Sequence, residues 1–177
     1  NVIVKNLKSA IKYPKSIRYR EALSEASLMA GMAFSQTKTT ACHAISYPLT
    51  AYYKIPHGLA CAFPLPHLFE FNREVISDKA SQIASWFKSK SAEKGSQSII
   101  DFIKSINLPV YLSEIDVKID NVEKVFQSSM QSDRIKNNPR KISKKDLLGI
   151  VQKMLWVKKI PFNVNSVSLC LMFKVIF

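Results

Sequence analysis

The chain has 177 residues, enough for one well-filled core, and 47% of them are hydrophobic, which excludes wholesale disorder. Lys and Arg number 26 against 13 Asp and Glu, a net charge of +13, but the lysines are scattered singly or in pairs from Lys79 to Lys159, which reads as a solvated basic surface and not a nucleic-acid footprint. Three cysteines (Cys42, Cys61, Cys170) without a CxxC pair argue against a disulfide framework or a zinc ribbon, and no apolar run reaches the roughly 18–20 residues that span a bilayer. A cytoplasmic setting is expected, without a nucleic-acid or membrane partner.

Only four glycines interrupt the periodic stretches, so the expected fold class is all-α, a helical bundle. Val2, Ile3, Leu7, Ala10 and Ile11 predict a first helix, stopped by Pro14. A second runs from Ser16, a candidate cap, through Ala33; Ala22, Ala26, Ala30 and Ala33 give it a small face suited to close packing. Asp78 is the expected cap of a helix carrying Ile83, Trp86 and Phe87, and Ser91–Asn107 forms another that stops at Leu108-Pro109. Asp120 opens a helix with Val125, Phe126 and Met130, Asn137-Asn138-Pro139 makes a turn, and Ser143 with Asp146 starts a last helix through Met154.

Chemistry concentrates between Thr39 and Asn72. That segment holds all three histidines, two of the three cysteines and four of the eight prolines. His43 and His57 would lie about 21 Å apart on one continuous helix. Pro48 is expected to end the helix carrying His43, and Pro56 to start the next with His57 in its first turn. That return would bring the two imidazoles to one point, where they suit Fe²⁺ or Zn²⁺ as an incomplete set. Spacing alone leaves two readings open: unrelated histidines or a metal pair. Pro64 and Pro66 require the chain to bend or restart near Phe63. Cys42 and Cys61 read as small core residues.

The wording of the segment narrows this. His43-Ala-Ile-Ser-Tyr47-Pro48-Leu49, Tyr52-Tyr53, Pro56-His57-Gly58 and Leu65-Pro66-His67, preceded by Gly31-Met32-Ala33-Phe34 and followed by Asn137-Asn138-Pro139-Arg140, resembles the C-terminal signature of iron-containing (group III) alcohol dehydrogenases over roughly residues 1–155. The resemblance implies the helical metal-binding domain of the dehydroquinate synthase-like architecture, in which His43 and His57 match two of four metal ligands. The other two, an Asp and a His, and the glycine-rich turn of the NAD(P) domain belong upstream of Asn1. It also implies hydride transfer between nicotinamide and a small alcohol or aldehyde, with Fe²⁺ or Zn²⁺ as Lewis acid, and homodimers as one expected assembly.

Three departures from the family pattern matter. Tyr47 stands where most members have a His near the nicotinamide, and is the cofactor-binding candidate, though a phenol is a poorer proton shuttle than imidazole at neutral pH. Cys61 stands where an Asn is common, which argues against a metal role. The Ile-Ser-Tyr-Pro-Leu-Thr wording is similar to the branch acting on phosphonoacetaldehyde or 2-hydroxyethylphosphonate. His67, in this reading, is scaffold, and Arg140 a turn residue.

Residues 156–177 do not resemble the family. Val167, Leu169, Leu171, Phe173, Val175 and Phe177 alternate as in a strand. With a start already in periodic sequence and lacking Met, the expectation is a piece of a longer enzyme, inactive alone and weak in metal binding. A non-catalytic helical association module with a vestigial metal site is the alternative.

Overall fold

The computed structural model describes residues 1–115 and 122–155, and among these the regular structure is entirely helical, as the periodicity implies. The strand-like tail and the Asp120 cap lie outside the described residues. The chain divides into two units, with the boundary after Lys38.

In the first unit α1 (Val2–Lys12) packs against α2 (Ile17–Gln36), burying Leu7, Leu23 and Ala26. Pro14 lies in the turn between them, and Ser16 occupies the N-cap of α2 without a side-chain capping bond. The expected small face is buried only in its first half, since Ala30 and Ala33 are exposed. The buried part of that face is the part that α1 packs against.

The second unit begins at Thr39. Here α3 (Ala41–Tyr53) packs against α4 (His57–Ala62), α8 (Val122–Gln131) and α9 (Asp133–Lys136). Around them α5 (Leu65–Asn72) lies against α7 (Gly95–Ser105) and α10 (Lys144–Met154), and α6 (Ser77–Trp86) against α7. Ile45, Leu49, Phe63, Ile99, Val125, Leu147 and Met154 are almost fully buried and form the core of this unit. Phe87 and Phe102 meet edge to face at 5.4 Å.

Two local expectations are corrected. Pro48 does not end its helix: it is buried inside α3, which continues to Tyr53. A mid-helix proline costs about 3 kcal/mol, and packing of α3 on three neighbouring helices offsets it. Asp78 lies in the first turn of α6, whose N-cap is Ile76. Elsewhere the punctuation holds. Pro64 caps α5 and the chain restarts after Phe63, while Ser143 and Asp146 form a reciprocal capping box on α10.

One polar clamp ties the end of α5 to the Asn137–Pro139 turn. Asn72 Nδ2 donates to Asn138 Oδ1 at 3.2 Å, and Asn138 Nδ2 donates to Asn72 Oδ1 at 2.7 Å and to the Arg140 carbonyl at 2.7 Å. Both amides are buried. Arg140 adds a bond to the Phe71 carbonyl (3.2 Å) and lies 4.5 Å over the Phe71 ring. The turn is therefore structural, and it fixes the exit of α9. Replacing Asn138 by Ala leaves the Asn72 Nδ2 donor buried without its Asn138 acceptor, and urea unfolding should show a loss of about 1–3 kcal/mol.

Candidate metal centre

The link between α3 and α4 builds the site. His43 lies in the first turn of α3 and the helix runs about 15 Å further before it ends. Lys54 then adopts the left-handed conformation (φ 57°), Ile55 is buried, and Pro56 (φ −51°) starts α4 with His57 as its first residue. Three linking residues reach back at most about 10 Å. The imidazoles cover the remainder: their centroids are 5.5 Å apart.

Tyr47, one turn beyond His43, stacks on His57 at 5.4 Å with an interplanar angle of 17° and keeps an exposed edge. The Arg134 guanidinium of α9 lies 4.7 Å over the other partner in this stack, the Tyr47 ring, and its Nε donates to Thr39 Oγ1 at 3.0 Å. Cys61, one turn into α4, places its Sγ 3.8 Å from His57 Nε2. His43, His57 and Cys61 each offer a ligand atom, and the three atoms lie within 4.8 Å of one another.

The electrostatics keep these donors neutral. Burial, then His57 and Arg134 nearby, lower the pKa of His43, and burial lowers that of His57. Neutral imidazole is the form that binds a metal. Burial pushes the Cys61 thiol up to about 11, opposed in part by a hydrogen bond with Ser46. The same burial raises Cys42, whose sulfur is not among the converging donors.

The donor set fits a divalent transition metal: two imidazoles and a thiol from two helices, partly buried and close enough to share an ion. The structure thus brings His43, His57 and Tyr47 together as the sequence leads one to expect. It keeps His67 apart, on α5. Of two further neighbours, Cys61 is read from the sequence as a core residue without a metal role, and Arg134 is not singled out at all. Cys61 carried a signal in its His57-x-x-x-Cys61 spacing, which puts both side chains on one helix face. Arg134 carried none, being 95 residues from the Thr39 it bonds.

Residues 1–155 match the model of the Fe-containing alcohol dehydrogenase family, C-terminal. The chain belongs to that family. It is 30% identical over 151 residues to the probable alcohol dehydrogenase EutG of Escherichia coli (strain K12), covering 84% of this chain and 38% of that protein. Its fold matches the crystal structure of a 1,3-propanediol oxidoreductase with a TM-score of 0.80 at 27% identity, over 87% of this chain and 42% of that one. A sulfoacetaldehyde reductase from Bifidobacterium kashiwanohense, solved in complex with NAD⁺, matches with a TM-score of 0.76 at 27% identity, over 86% and 40%. The chain therefore spans about two fifths of the length of these relatives.

His67 titrates separately from this group. Its Nε2 is buried without a hydrogen-bond partner among the described residues, and burial, helped by Lys153, lowers its pKa to about 4. The unfolded chain binds this proton near pH 6.5 and the folded chain only near pH 4. Stability should therefore be full above pH 6.5 and fall as pH drops through that window. In His67→Gln the urea-derived stability should lose part of this acid slope, on the order of 2 kcal/mol between pH 7 and 4.

Proposed function

We propose that this chain is the metal-holding helical part of an NAD(P)-linked, metal-dependent alcohol dehydrogenase, with His43 and His57 as metal ligands and Tyr47 beside the nicotinamide. The observation that carries this reading is the meeting of two neutral imidazoles at 5.5 Å, across a helix return, in a chain matching the family over residues 1–155. When bound, Fe²⁺ or Zn²⁺ supplies Lewis acidity toward an alcohol or aldehyde oxygen. Tyr47 holds the His57 ring in place by stacking and offers its exposed side to a flat ring. All four glycines lie within helices, so these residues offer no glycine-rich turn to a dinucleotide. The 177-residue polypeptide, loaded with Fe²⁺ or Zn²⁺, should give no NAD(P)H with small alcohols, while His43→Ala and His57→Ala should each abolish its metal binding. Turnover by this polypeptide, or metal binding indifferent to both variants, would overturn the proposal.

For substrate we favour an anionic alcohol or aldehyde of the phosphonate class. Arg134 supports this: its guanidinium lies over Tyr47, close enough to His43 to bias its protonation, and can take an oxyanion in bidentate fashion. A sulfoacetaldehyde reductase among the relatives agrees with an anionic class. Calorimetry on the metal-loaded polypeptide should show 2-hydroxyethylphosphonate binding roughly tenfold or more tighter than 1,3-propanediol. Arg134→Ala should erase the difference; equal binding in the unaltered chain would sink the anionic class and leave the dehydrogenase reading standing.

The association-module reading has one observation in its favour: Leu28, Met29, Met32 and Phe34 of α2 are exposed. A melting temperature that ignores Fe²⁺ and Zn²⁺ would favour it.

A further inference from the structure

Cys61 has a plain explanation as a small buried core residue, and its surroundings argue for more. Its sulfur is buried beside polar groups. It faces His57 on its own helix and His43 on the neighbouring one, with the Ser46 hydroxyl hydrogen-bonded to it. A core thiol gains nothing from three polar neighbours, whereas a ligand thiol is oriented by such contacts.

We infer that Cys61 is a metal ligand, a sulfur donor beside His43 and His57 that biases the site toward a thiophilic divalent ion, Zn²⁺ in preference to Fe²⁺. This rests on the reading of the two histidines as ligands and adds the third donor.

The distances carry the argument. With Zn–N near 2.05 Å and Zn–S near 2.3 Å, tetrahedral geometry sets the N···S edge at about 3.6 Å. The observed Sγ···Nε2 separation is 3.8 Å, and it is fixed by the pitch of α4, because His57 and Cys61 are four residues apart. The full set of donor atoms lies within 4.8 Å, so small rotations of the His43 ring close the third side. Binding breaks the Cys61 S–H bond, forms the sulfur–metal bond and releases one proton to solvent. A thiolate shifts preference toward Zn²⁺, where imidazole and carboxylate sets accept iron more readily. A third donor should make this polypeptide bind its ion more tightly than the weak binding expected of two imidazoles.

Cobalt(II) substitution of the full 177-residue chain tests this. A 1:1 complex should show a near-ultraviolet sulfur-to-cobalt charge-transfer band, displaced by Zn²⁺ and absent in Cys61→Ser. It should persist in Cys42→Ser/Cys170→Ser, and Cys61→Ser should weaken Zn²⁺ binding at least about 100-fold, since even outer-shell losses cost 10–100-fold. The band in the unaltered protein needs no variant to fold. Cobalt bound without the band, yet lost in His43→Ala, would overturn the Cys61 assignment and leave the histidine pair intact. Binding that neither His43→Ala nor His57→Ala disturbs would overturn both.

Discussion

Three residues between α3 and α4 decide whether this chain has a site at all. A left-handed Lys54 costs on the order of 1–2 kcal/mol for a residue with a Cβ. Burial of Ile55 and the preset φ of Pro56 hold the chain in that bend. Without the reversal, His43 and His57 would be separated by helical rise and Tyr47 would have no ring to stack on. With it, donors from two helix starts meet, and Cys61 follows automatically one turn later. The site is thus a property of backbone reversal first and of side-chain chemistry second.

Packing supports the reversal from behind. α3 tolerates its internal proline because α4, α8 and α9 enclose it, and the first turn of α3 is held where Arg134 and Asn137 bond Thr39. The Asn72–Asn138 clamp then fixes the far end of α9 to α5. Distant stretches of sequence therefore converge on one short helix, α9, whose four residues make no large core contribution beyond Ile135.

Much of this was legible in the sequence. Helical periodicity, the Pro56 start, the Pro64 restart and the Ser143 capping box are local signals, and local physics decides them. What was not legible depends on tertiary partners. Pro48 reads as a stop because its intrinsic cost is local, and its tolerance comes from neighbours remote in sequence. Ala30 and Ala33 on the alanine face of α2 are exposed, which a periodicity argument on α2 alone does not see. Arg134 and α9 follow a stretch with no distinctive wording, so nothing before the fold placed a cation over Tyr47. Cys61 was visible at helical spacing from His57, but the Asn common at that position in the family pointed away from it, and only the fold places its sulfur beside both imidazoles.

The placement of Arg134 separates two properties that many enzymes entangle. The two imidazoles and the thiol reside on α3 and α4, while the guanidinium over Tyr47 is lent by α9, anchored through Thr39 and the asparagine clamp. An exchange at position 134 would change the local field and also release the Arg134 bond to Thr39, leaving Asn137 to hold the first turn of α3. The cation and the three converging side chains therefore come from different helices, and only the packing of α9 on α3 brings them together.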